Sequence, residues 1–147
     1  MAFEDLYQEI ILDHYRNPAN YGELEEGCHS TEHENPVCGD RLKLLVQVDQ
    51  EGIIQKVKFN GSGCAISMAS ASMMTELIKG QPIDKVKSIV QDFIEIMRGE
   101  KDPETLEIYG DLAALQGVIQ FPVRIKCATL AWHALQEVIK KGLDEEN

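Results

Sequence analysis

Apolar residues recur along this chain at two spacings, one near 3.6 residues and one of two, and the switches between them divide it into elements. Phe3, Leu6, Tyr7, Ile10 and Ile11 fall at helical spacing until Asn17-Pro18 breaks the pattern, which predicts an amphipathic helix over residues 3 to 16. A polar, turn-rich stretch follows from Ala19 to Asp40, with room for one short strand near Cys28. Leu42, Leu44, Val46 and Val48 then alternate with their neighbours, the period of a strand with one buried face. Gln50-Glu51-Gly52 is a turn, and Ile53, Val57 and Phe59 place a second strand after it, so the pair reads as an antiparallel hairpin. Asn60-Gly61-Ser62-Gly63 stops that strand.

From Cys64 the spacing is helical to the end. Ile66, Ala69, Met73, Leu77 and Ile78 predict a helix closed by Gly80, its methionines belonging to the core. Val86, Ile89, Val90, Phe93 and Met97 predict another, opened by Pro82 and closed by Gly99. Asp102-Pro103 starts a short helical piece, and Gly110 and Gly117 punctuate the segment up to Phe121 into pieces joined by turns. After Pro122, the run Cys127, Leu130, Ala131, Ala134, Leu135 and Val138 predicts a final helix that Gly142 closes. Helix, small sheet, then helices is the order of an α+β domain with its helices on one sheet face.

The length, 147 residues, suits one domain that can bury a core without disulfides. With 14 basic against 25 acidic residues the net charge is -11, which disfavours polyanions, so no nucleic-acid partner is expected. No stretch approaches the roughly 18 apolar residues of a membrane span, and the start lacks the basic character of a signal peptide. A cytoplasmic location with no membrane partner is the expectation. Four cysteines in such a chain are then expected as reduced thiols, open to metal binding, catalysis or burial.

Three of the four stand at element junctions: Cys38 before a strand, Cys64 after one, and Cys127 near the start of the last helix. Pairing of the two strands brings Cys38 and Cys64 together. Cys64 and Cys127 are expected at or near helix N-termini, where the dipole favours a thiolate. Asp40, two residues after Cys38 in an extended segment, points the same way as Cys38. Three thiolates and a carboxylate make a plausible tetrahedral zinc site, while cysteine-held iron–sulfur clusters remain open on the same ligands. Burial as a small hydrophobe is the competing explanation for any single cysteine, best for Cys127 on its apolar stripe.

Cys28, His29, His33 and Cys38 form a rival cluster of zinc ligands, although their spacing matches no finger pattern. His14 and His133 lie on predicted helices and read as surface or packed residues. Gly61-Ser62-Gly63-Cys64 lacks the Lys-Ser/Thr ending of a phosphate loop, and no serine sits in a Gly-x-Ser-x-Gly elbow. Arg124 and Lys126 add positive charge next to Cys127 in an acidic protein, against the plainer reading of two solvated helix residues.

Cys38-Gly39-Asp40, Gly61-Ser62-Gly63-Cys64 leading into Ile66-Ser67-Met68-Ala69-Ser70, and Arg124-Ile125-Lys126-Cys127 with Leu130-Ala131-Trp132 together resemble the IscU/NifU-like superfamily of iron–sulfur cluster assembly proteins. Leu6-Tyr7 and Asp13-His14-Tyr15-Arg16-Asn17-Pro18 are similar to that family's first helix, so the resemblance spans nearly the whole chain. Scaffolds of the IscU type usually carry a histidine directly before the third cysteine, where this chain has Lys126. The stretch from about Asp102 to Phe121 also resembles an extra segment of the SufU-type branch.

The resemblance implies one IscU/SufU-like domain over residues 1–147, with about three antiparallel strands packed by an N-terminal helix and several C-terminal helices. It implies zinc held by Cys38, Asp40, Cys64 and Cys127. The implied activity is sulfur transfer, with Cys38 accepting persulfide sulfur from a SufS-type cysteine desulfurase and Arg124 near the site. Downstream cluster assembly proteins would be further partners, the pyridoxal phosphate would belong to the desulfurase, and Cys28 has no implied role. Two alternatives stand beside this: a scaffold carrying a transient iron–sulfur cluster, and a binding module whose zinc only stabilises the fold.

Overall fold

A computed structural model gives the fold and describes residues 3–24, 28–35 and 39–143. The first helix, α1, spans Phe3–Arg16 and turns Tyr7, Ile10 and Ile11 toward the core. Three antiparallel strands follow, β1 (His29–Asn35), β2 (Asp40–Val48) and β3 (Ile54–Ser62), in the spatial order β1-β2-β3.

β2 and β3 form the expected hairpin, with Arg41 opposite Ser62 and Val46 opposite Val57. Its turn is fastened by the Asp49 carboxylate, which accepts hydrogen bonds from the amides of Glu51 (2.9 Å) and Ile53 (3.0 Å). One detail departs from simple alternation. Gln47 pairs with Lys56 but Val48 pairs with Ile54, so an extra residue bulges from β3 and reverses its phase. Ile54, and not Ile53, therefore enters the core beside Val57 and Phe59.

The polar stretch holds a full seven-residue strand, β1, paired with β2 from His29 opposite Val46 to Asn35 opposite Asp40. Its composition, His-Ser-Thr-Glu-His-Glu-Asn, suits an edge strand, since alternate side chains face solvent and β2 pairs with one side of its backbone only. At the opposite margin the chain near Tyr21 lies along β3: Phe59 donates its amide to Asn20 O (3.0 Å) and accepts from the Gly22 amide (2.8 Å). Tyr21 meets the Phe59 ring edge-on, their centroids 5.3 Å apart.

Helix α2 (Ala65–Ile78) is buried on nearly every side, from Ser67 through Thr75, because α1, α4 and β3 all pack around it. A stripe was the expectation, but a central helix needs small and apolar residues all round, which its Ala, Ser and Met content supplies. Helix α3 (Ile83–Met97) is amphipathic as expected. The segment Pro103–Gln120 winds as tighter 3-10 turns in two pieces, parted where Tyr109 and Gly110 leave helical geometry, Gly110 at φ +63°. Asp102 caps it by accepting from the Glu104 amide at 2.9 Å.

The last long helix, α4 (Pro122–Val138), is registered against α2 by Trp132. The Trp132 indole N–H donates to Ser70 Oγ (3.0 Å), and the Ser70 hydroxyl donates to Ala128 O (2.6 Å). Phe93 of α3 stacks on the same indole at 4.2 Å, a pair worth about 1 kcal/mol beyond its buried area. Because Ala128 follows Cys127, this lock also fixes where Cys127 stands relative to the start of α2.

Candidate metal centre

Two chain junctions and the inner face of a helix meet at one end of the sheet. Asp40 opens β2, Cys64 follows the end of β3 and caps α2, and Cys127 lies on the inner face of α4. One ligand atom from each, a carboxylate oxygen and two sulfurs, all lie within 4.8 Å of one another. Asp40 and Cys127 are fully buried, whereas Cys64 is half-buried and gives the group its opening to solvent.

Asp40 is placed by the helix it faces. Oδ1 accepts the Cys64 amide at 2.9 Å and Oδ2 accepts the Ser67 hydroxyl at 2.6 Å. The carboxylate thus does what a capping side chain does, satisfying a donor at a positive helix end. Gly63 makes room for it: a Cβ there would stand 2.5 Å from Asp40 Oδ1. Gly61 is required for a different reason, since a Cβ would come within 2.0 Å of Arg41 O across the hairpin.

The sulfurs are held by weaker contacts. Ser67 Oγ is 3.5 Å from Cys64 Sγ, and the buried Asn35 amide points Nδ2 at Cys127 Sγ from 3.9 Å. Asn35 also pairs with Asp40 across the β1–β2 ladder, so one strand pair presents two side chains to the site.

This donor set fits a soft or borderline cation. On a tetrahedral zinc with bonds of about 2.3 Å, neighbouring sulfurs stand about 3.8 Å apart, inside the spread seen here. Two thiols exclude a magnesium or calcium cage, which would use oxygen alone. A buried carboxylate is costly without a cation or full hydrogen bonding, and among the described residues Asp40 meets an amide and a hydroxyl rather than a lysine or arginine.

Of the residues singled out in the sequence, Cys38 lies outside the described residues. Cys64 stands at the N-cap of α2, but Cys127 comes five residues after Pro122, beyond the first turn of α4. The helix-end dipole therefore does not act on Cys127, which instead also lies 3.9 Å from Val123 O. Arg124 and Lys126 are exposed on the opening turns of α4.

The rival cluster is not assembled among the described residues. His33 pairs with Glu137 of α4, which is also bonded to Lys141, and Cys28 stays half-buried apart from any metal-sized group. Lys141 first and His33 second hold the Glu137 carboxyl down at about 2. His133 is half-buried on α4.

Sequence reasoning missed Ser67, Asn35 and the role of Gly63. Ser67 carried a usable signal: it lies three residues after an N-cap, the spacing of a reciprocal capping pair. Asn35 carried none, because its partner is 92 residues away.

An α+β fold that gathers two thiols and a buried carboxylate where a hairpin meets two helices defines a small metal- or cluster-handling protein. The chain belongs to the NifU-like N-terminal domain family, whose model matches residues 6–143. It is 46% identical to the zinc-dependent sulfurtransferase SufU of Bacillus subtilis, over 94% of this chain and 92% of that one. It is 38% identical to the iron–sulfur cluster assembly scaffold protein IscU of Streptococcus pyogenes, over 97% and 87%. Among solved structures, a candidate scaffold protein for the SUF system of Fervidobacterium islandicum superposes with a TM-score of 0.81 at 30% identity, covering 92% of this chain and 98% of that one. Among the described residues no helix is long and apolar enough to cross a membrane.

Proposed function

We propose that the chain is a zinc-dependent sulfurtransferase that takes persulfide sulfur from a SufS-type cysteine desulfurase and passes it into cytoplasmic iron–sulfur cluster assembly. The observation that carries this reading is the convergence of Asp40, Cys64 and Cys127 at a point two residues along the chain from Cys38. Identity to the Bacillus subtilis sulfurtransferase supports it, as does Lys126 in place of a histidine before Cys127.

In this reading Cys38 completes the ligand set of Asp40, Cys64 and Cys127. Zinc, when bound, keeps the coordinating thiols deprotonated at neutral pH and lowers their nucleophilicity. The Asp40 carboxylate is held in place by the Cys64 amide and the Ser67 hydroxyl, so it reaches the site already oriented. Once released from the ligand set, the Cys38 thiolate attacks the outer sulfur of the desulfurase's cysteine persulfide. A sulfur–sulfur bond forms on Cys38, the partner's sulfur–sulfur bond breaks, and the partner's cysteine departs as a thiolate. Arg124, three residues before Cys127, supplies positive charge for the partner's departing sulfur.

Turnover of a SufS-type desulfurase on cysteine, with reductant, tests the proposal in the presence of the zinc-loaded or the zinc-stripped chain. Acceleration only by the zinc-loaded chain, lost in Cys38→Ala, is the expected result; acceleration retained in Cys38→Ala rejects Cys38 as the acceptor. The second reading, a scaffold, draws on the named relatives and on thiols that suit an iron–sulfur cargo. It is favoured if zinc gives no acceleration and a cluster forms on the chain once iron and sulfide are supplied.

A further inference from the structure

A second group of ligand atoms lies on other elements. His14 of α1, Glu76 of α2 and Asp111 of the Pro103–Gln120 segment place one donor atom each within 4.8 Å of one another. His14 Nε2 is 2.8 Å from Asp111 Oδ2 and 3.6 Å from Glu76 Oε1. A divalent ion about 2.1 Å from each donor would space neighbouring donors about 3.0–3.4 Å apart, between those two distances.

The imidazole is aimed by its other nitrogen. His14 Nδ1 is 2.7 Å from Ser72 Oγ, and Ser72 Oγ is fixed in turn by accepting the Ala19 amide at 2.8 Å. The His14 side chain is only 10% exposed, while those of Glu76 and Asp111 are 54% and 56% exposed. A histidine oriented through one nitrogen by a hydrogen bond, with the other turned to an open face, is the arrangement of a metal-bound histidine.

Charge balance points the same way. Nε2 carries at most one proton, which it can give to Asp111, and the second carboxylate then shares the space without a hydrogen of its own from His14. No lysine or arginine ion pair engages Glu76 or Asp111 among the described residues. Two carboxylates and one imidazole nitrogen are hard and borderline donors, in contrast to the sulfur-rich group at Asp40.

We propose that His14, Glu76 and Asp111 form a second, surface-open site for a first-row divalent metal ion, with Ser72 as the positioning residue for His14. The ion would clasp α1, α2 and the Pro103–Gln120 segment together, and solvent would fill its remaining positions. This site shares no ligand with the Asp40 group and does not depend on the sulfur-transfer reading.

Zinc is the probe. The full chain, loaded with one equivalent, is titrated with further zinc by calorimetry beside Glu76→Gln and Asp111→Asn, with the His14 imidazole nitrogens followed by NMR. The expected result is a second equivalent that moves the Nε2 resonance and weakens about tenfold or more in both variants, with the first equivalent unchanged. Glu76→Gln alters an exposed position and keeps the fold, so its result is readable even if Asp111→Asn loosens the segment. Absence of a second equivalent, or one that both variants retain, overturns the proposal.

Discussion

The groups at Asp40 and at His14 each bring three donor atoms within 4.8 Å, yet they are built in opposite ways. Around Asp40 two donors come from chain junctions and the third from the inner face of α4, two of the three are fully buried, and two are sulfur. Around His14 they come from the faces of three helical segments, two of the three are exposed carboxylates, and none is sulfur. A junction site inherits rigidity from the hairpin and from the start of α2, whereas the His14 group is only as rigid as the packing of helices that carry it. The first suits a soft ion held firmly; the second suits an exchangeable ion that adds stability by mass action.

Removing a sulfur should separate the two groups most sharply. In Cys64→Ala the first zinc equivalent should weaken by about 3 kcal/mol, more than a hundredfold, while the His14 group is untouched. A competition titration with a chromogenic chelator measures it, and unchanged affinity would remove Cys64 from the ligand set.

Next in size is Gly63→Ala, because the new Cβ would stand 2.5 Å from Asp40 Oδ1. Overpacking there should cost about 1–3 kcal/mol in denaturant unfolding and weaken zinc as well. Stability and zinc affinity both at parent values would show that Asp40 is free to move aside.

Ser67→Ala leaves the buried carboxylate short of one hydrogen bond and should destabilise by about 1.5–3 kcal/mol, against under about 1 kcal/mol for Asp111→Asn measured without added metal. Equal losses in urea melts would erase the contrast between buried and open sites.

The smallest effect concerns Glu137, which bonds Lys141 and also His33, tying the strand that carries Asn35 to the helix that carries Cys127. Its carboxyl sits at about 2 in the fold against an ordinary 4.5. A depressed carboxyl stabilises the fold fully above about pH 4.5 and loses that contribution as pH falls toward 2. Thermal melts of Glu137→Gln should therefore fall less steeply than the parent over that window, and identical slopes would rule the clasp out.

Helices α1 and α3 and the β2–β3 hairpin were legible because each carries a periodic apolar face that only one geometry buries, while α2 was legible from its apolar and small residues between Cys64 and Gly80. β1 was legible only as one short strand near Cys28, without its bounds, since an edge strand of polar residues has no such face and is defined by its partner. The bulge that brings in Ile54 left no local mark in a run of two isoleucines, Ile53 and Ile54. At the site, Asp40 and Cys64 could be placed near each other because one hairpin connects them. Cys127 was read at or near a helix N-terminus, and the helix begins at Pro122, so the thiol lies beyond the first turn, out of reach of the helix-end dipole. His14 read as a packed or surface residue and the fold gives it both aspects: a buried ring whose outer nitrogen faces open carboxylates.

The backbone lying along β3 has a consequence for solubility. With Asn20 and Gly22 bonded to Phe59, part of that margin is already taken, and the opposite margin is β1. Its outward side chains include Glu32 and Glu34, both exposed. Two copies approaching strand to strand would bring like charges together on an already acidic molecule, a built-in deterrent to edge-on aggregation along that margin.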